Sequence, residues 1–127
     1  MSLAKRDLLA RYVAEPVDLF RIVTGATRGA PGVLESLRSN YERNARPRGL
    51  EIESALLHFG LSTFVTLDAA ADRATRWPTL GTHIARVRLE PGNGFHVAET
   101  AAGHRTVWGR PLQLLACVVD ILPVGAS

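Results

Sequence analysis

Two adjacent hydroxyls, Ser62 and Thr63, stand where a short apolar strand runs into a helix, in the stretch GLSTFVTLDAAADRATRW at residues 60–77. Side chains at such an entrance are placed to hydrogen-bond a ligand. A second candidate is Arg21, in the middle of VDLFRIV. A charge on so apolar a strand must reach solvent or find a partner, because burying it unpaired costs several kcal/mol. Either the strand lies at a sheet edge and the arginine snorkels outward, or Arg21 lines a pocket and meets an anion. His104 and Trp108 share the signature GHRTVWGRP, whose density of Gly, His, Trp and Pro implies a specific backbone path, read here as a turn. In it His104 is a general base, a hydrogen-bond donor or a plain turn residue. Trp108 anchors the core or stacks on a ligand.

The elements that must position these groups follow from local pattern. Residues 61–66, rich in Thr, Val and Phe after a glycine, predict a short central strand. Thr66 is placed to cap a helix whose Leu67, Ala70, Ala71, Ala74 and Trp77 recur at one-turn spacing, with Pro78 as its stop. Asp68 and Arg76 suit the two ends of the helix dipole. Alternation in residues 17–23 sets Leu19, Arg21 and Val23 on one side and Phe20 and Ile22 on the other.

Elsewhere, residues 3–14 predict a helix closed by Glu15-Pro16, and Pro31 opens another that runs to about Asn44, with Val33, Leu34, Leu37 and Tyr41 inward. The glycine-rich loop at 24–32 fits neither phosphate-binding fingerprint and reads as a connection. Residues 50–59 predict a helix ended by Gly60. In residues 82–90 one face, His83, Ala85, Val87 and Leu89, is expected buried and the other, Ile84, Arg86 and Arg88, wet. The turn Pro91-Gly92-Asn93-Gly94 then predicts a hairpin in which residues 95–100 return beside 82–90. A helix over 112–118 and a strand over 120–124 complete the chain.

Composition bounds the function classes. A chain of 127 residues with 46% hydrophobic and 21% charged residues is one domain with a core of its own, without an apolar run of membrane length. A cytoplasmic location is expected, since charges interrupt the first apolar residues. Cys117 is the sole cysteine, which excludes a disulfide framework and reads as a buried apolar residue. The net charge is +3, and Lys5 is the only lysine among the cations, so the excess is arginine. Guanidinium forks suit phosphates. The basic run RNARPR, with Arg43, Arg46 and Arg48, is solvated surface or a contact to a nucleic-acid backbone. His58, His83, His96 and His104 are scattered with no metal-ligand spacing, so no metal is expected.

The order Leu19-Phe20-Arg21, then about forty residues of mainly helical pattern, then Leu61-Ser62-Thr63-Phe64 with an alanine-rich helix, resembles the NAD-dependent ADP-ribosyltransferases of the arginine, serine, glutamate type. The resemblance covers residues 19–99. It implies an α+β fold, a small single domain with a mixed or antiparallel sheet and flanking helices, and NAD as the cofactor. Arg21 matches the family's phosphate-supporting arginine, and Ser62-Thr63 match its serine motif at the nicotinamide pocket. Phe64 stands where a third small hydroxyl residue is usual. The family carries an ExE or QxE glutamate pair on a later strand, and no such pair follows Ser62-Thr63 in this sequence, which leaves Glu99 or His104 as the implied catalytic group.

The expected function is therefore a divergent ADP-ribosyltransferase-like domain, either an NAD-dependent enzyme using Glu99 or His104 or a binding module with impaired catalysis. It would bind a nicotinamide or adenine nucleotide between Arg21, Ser62 and the segment from His104 to Trp108. A nucleic-acid-binding module and a non-enzymatic interaction or oligomerising domain are the alternatives from other classes.

Overall fold

The computed structural model describes residues 11–38 and 60–125. The strands are β1 (Arg11–Tyr12), β2 (Val17–Val23), β3 (Leu61–Phe64), β4 (His83–Leu89), β5 (His96–Ala101), β6 (His104–Trp108) and β7 (Val118–Pro123). The helices are α1 (Pro31–Ser36), α2 (Leu67–Arg76) and α3 (Pro111–Ala116), with a single 3-10 turn at Pro78–Leu80. The strands form one antiparallel sheet in the order β1-β5-β6-β3-β2-β4-β7. This is an α+β domain.

Strand alternation divides the apolar residues between the two faces of the sheet. On the first face Leu19 and Val23 of β2, Ala85, Val87 and Leu89 of β4, Leu61 and Val107 pack against Val33 and Leu37 of the α1 region and Leu114 of α3. On the second face Ile22 and Ile84 pack against Ala70 and Ala74 of α2, with Phe20, Phe64 and Leu67 around them. Helix α2 starts as the sequence implies: the Thr66 hydroxyl accepts a hydrogen bond from the Ala69 amide at 3.1 Å. Trp77 is the C-cap residue and is 58% exposed, so it does not continue the apolar stripe.

Several expectations are corrected. Arg11 and Tyr12 pair with Val97 and His96 as an edge strand, where a helix was expected. Strand β2 is interior, flanked by β3 and β4, so Arg21 does not escape at an edge. Residues 82–90 do not have one wet face along their length, since Ile84 is buried beneath α2. The turn at residues 91–94 does not close a hairpin. β5 lies four positions from β4 in the sheet and pairs with β1 and β6. The crossing carries Phe95 into the first-face core, where its ring lies under Gly109. The true hairpin is β5–β6, turning through Ala102-Gly103 with Gly103 in the left-handed region at φ +72. His104 to Trp108 is thus a strand and not a turn. Helix α1 ends at Ser36. Tyr41 and the helix expected over 50–59 lie outside the described residues, as does the early part of the helix expected over 3–14.

Helix α1 is held against β2 by a small polar hub. The Thr24 amide donates to Ser36 Oγ at 3.0 Å, and that hydroxyl donates to the Gly32 carbonyl at 2.7 Å. The close approach of the 24–32 loop to the helix depends on Gly32, because a Cβ there would fall 2.0 Å from the Thr24 carbonyl oxygen. Gly32→Ala should therefore push α1 off the end of β2 and cost about 2–3 kcal/mol, the usual penalty for forcing atoms into a packed site. Urea denaturation checks it; a change within about 0.5 kcal/mol, the range of neutral surface substitutions, would refute the account of this contact.

Candidate functional site

Arg21 and Ser62 meet. Nη1 of Arg21 donates to the Ser62 carbonyl at 2.9 Å, and Nε donates to the Ser36 carbonyl at 2.9 Å. The physical reason lies in the sheet. β2 and β3 share one paired position, Phe20 with Phe64. Continuing that register would set Ile22 against Ser62, but the strands part there, and the guanidinium takes the carbonyl that a strand amide would have taken. Hydrogen bonds to a charged donor contribute roughly 1.5–3 kcal/mol. Arg21 is therefore a clamp between β3, β2 and α1, and it brings positive charge to the point of separation.

The two hydroxyls divide between the faces. Thr63 is 2% exposed and donates from Oγ1 to the Arg105 carbonyl at 2.9 Å, which makes it part of the sheet and not a ligand contact. Ser62 is exposed on the second face. That face continues across β6, where Ser62 is registered with Thr106 and Phe64 with His104. The Phe64 and His104 rings meet edge to face with centroids 5.4 Å apart. Arg73, from α2, stacks its guanidinium 5.9 Å from the Phe64 centroid, and among the described residues it has no carboxylate partner. Trp108 lies further along the same face, over Gly60, where a Cβ would come within 3.1 Å of the indole.

His104 is half-buried and bonded through Nδ1 to Thr100 Oγ1 at 2.6 Å. Burial holds its pKa below the usual value, and the charges of Arg73, Arg21 and Arg105 push in the same direction. The neutral form of the ring is therefore the favoured one.

Glu99 does not join it. It is registered with Arg105, lies on the first face, and pairs with Arg105 Nη1 at 3.3 Å while 62% of its side chain is exposed. Glu99 therefore does not stand beside His104 and Ser62: the strand alternation that turns Thr106 and His104 to one face turns Arg105 and Glu99 to the other. A signal was present in the sequence, since Val97 and Glu99 alternate together with core residues.

Cys117 is half-buried instead of fully enclosed, and burial raises its thiol pKa. It borders a groove of about 750 Å³ lined also by Arg88, Glu90, Asn93, Phe95 and Gln113, which includes none of the candidate residues. No group of three or more His, Cys, Asp or Glu side chains suited to a metal occurs among the described residues, and no described helix is long and apolar enough to cross a membrane. Arg43, Arg46 and Arg48 lie outside the described residues. No family model, no curated protein and no solved structure matches the chain.

The lowered pKa of His104 has a stability consequence. Between the unfolded value of 6.5 and the lower folded one, the unfolded chain binds more protons, so folding stability falls as pH falls through that window. Chemical denaturation at pH 7.5 and pH 5 should show a loss in the wild type that is smaller in His104→Gln. Equal slopes in the two proteins would refute the assignment. The ion pair of Asp18 with Arg88, which holds the Asp18 carboxyl below 3.8, acts only in stronger acid.

Proposed function

We propose that this domain binds the phosphates of a nicotinamide or adenine nucleotide on the second face of β3 and β6, and does not cleave it. The observation that carries this reading is the gathering of Arg73, Ser62 and neutral His104 on one face, with Arg21 charged behind them. Each is a hydrogen-bond donor or a cation, and the charged groups that act on His104 are all arginines. An anion suits such a surface.

NAD fits in part. Ser62 and Arg73 supply contacts for a pyrophosphate, and Trp108 supplies an aromatic wall further along the face. Arg21 contributes charge, because its Nε and Nη1 are committed to backbone carbonyls. Cleavage of an N-glycosidic bond needs a carboxylate against the developing oxocarbenium charge, and losing such a group costs orders of magnitude in rate. Glu99 is on the other face, and Asp18, which β2 sets on this one, is committed to Arg88 of β4 at 2.8 Å. An ADP-ribosyltransferase-like scaffold that retains binding is the reading these residues support.

Calorimetry with ADP-ribose, ADP and adenosine tests it. ADP-ribose and ADP should bind and adenosine should bind at least tenfold more weakly; Arg73→Ala should cost about tenfold, the loss of one charge-assisted contact. No heat from ADP-ribose at millimolar concentration, or equal affinity for adenosine, would overturn the proposal. Incubation with NAD should release no nicotinamide.

A further inference from the structure

A second concavity lies away from Ser62, His104 and Arg73, at the end of β4, and its shape follows from two irregularities of the chain. β7 holds one residue more than β4 between the pairs Val87 with Val118 and Arg86 with Asp120, and the surplus residue is Val119. A bulge of this kind re-aims a side chain, and Val119 is left 46% exposed at the groove. On the other side, the turn at residues 91–94, with Gly92 and Gly94 in left-handed conformation, carries the chain away from β4 toward β5. The groove of about 750 Å³ is lined from this turn, from α3 and from the start of β7, and its size is within the range of small-molecule sites. Phe95 and Val119 give it apolar surface; Arg88, Glu90, Asn93 and Gln113 give it polar surface.

The polar groups are not equivalent. Arg88 is committed, since its Nε and Nη2 donate to the two carboxylate oxygens of Asp18 at 2.8 and 3.1 Å. Glu90 is exposed and makes no hydrogen bond or ion pair among the described residues, so it is the lining charge without a directed partner. Its field reaches into the groove: the Cys117 thiol is pushed up by burial first and by the Glu90 charge second. The side chains of Asn93 and Gln113 also make no hydrogen bond among the described residues, and each offers a carbonyl acceptor. We infer that the groove binds a small organic cation, an ammonium or guanidinium head held by Glu90 and the amide carbonyls of Asn93 and Gln113, with an apolar stem against Val119 and Phe95. An anion of the same shape would meet a free carboxylate and only the remaining Nη1 of Arg88. The groove shares no residue with the proposed nucleotide face, and neither reading depends on the other.

Butylguanidinium is the probe, and butanol and butyrate present the same stem with no charge and with the opposite one. Titration of the wild type should show butylguanidinium binding roughly fivefold more tightly than butanol, the upper range for an ion pair in reach of water. Butyrate should bind more weakly still. Glu90→Gln removes the charge at an exposed position with no partner to lose, so the variant should stay folded and bind butylguanidinium no better than butanol. Gln113 is the sole glutamine of the chain, and its side-chain amide resonances therefore report on the groove directly; they should move along the same binding curve. Butylguanidinium no tighter than butanol or butyrate, an affinity unchanged in Glu90→Gln, or binding that leaves the Gln113 amide unmoved would each overturn the site.

Discussion

An arginine in an interior strand must be given acceptors, and in this domain the need shapes the centre of the sheet. Arg21 reaches the carbonyl of Ser62 on one neighbour and that of Ser36 at the end of α1. β2 and β3 separate where the guanidinium enters, and α1 is drawn onto the first face by the same side chain. The bonds of Ser36 to Thr24 and Gly32 then complete the attachment. A leucine at position 21 would suit the apolar strand better by itself, but it would leave two carbonyls to find other partners.

That constraint also divides the labour between the two faces. The first face holds α1, α3 and the larger core cluster, and its polar side chains near β3 are structural: Thr63 donates to a strand carbonyl, and Arg105 pairs with Glu99. The second face is covered by α2 over β2, β3 and β4, with Ser62, His104 and Arg73 next to that cover. The imidazole is kept neutral by burial and by the arginines on both sides of the sheet. The site is thus electropositive without depending on a protonated histidine.

How far this was legible in the sequence differs by kind of signal. Local chemistry was readable: the Thr66 cap, the extent of α2 and the face assignments within β2 follow from neighbours a few residues apart. The expected neighbourhood of Arg21 and Ser62 is met through the backbone, with the guanidinium donating to the Ser62 carbonyl. Strand partners were not readable. Pro91-Gly92-Asn93-Gly94 makes a turn with Gly92 and Gly94 in left-handed conformation, but a turn does not say whether the next strand comes back or crosses over. Here the crossing buries Phe95 and gives β5 the partners Val107 and Thr106, a non-local outcome without a local signature. Gly103, Gly109 and Pro111 punctuate His104 to Trp108 so closely that the pattern suggests a turn, whereas those residues bound a strand from outside.

The pairing of β5 with β6 decides what the site can do. Registering Ala98 with Thr106 and Glu99 with Arg105 commits Glu99 to the first face, and the irregularity between Glu99 and Ala101 lets Thr100 turn its hydroxyl to His104. Moving the register by one residue would exchange the two, setting a carboxylate beside the imidazole and a threonine over the core. The first arrangement surrounds the imidazole with hydroxyls and arginines; the exchanged one would set a carboxylate beside it. The bulge and the buried Thr106 hydroxyl therefore do more than close a hairpin: they keep the Glu99 carboxylate off the face that carries His104.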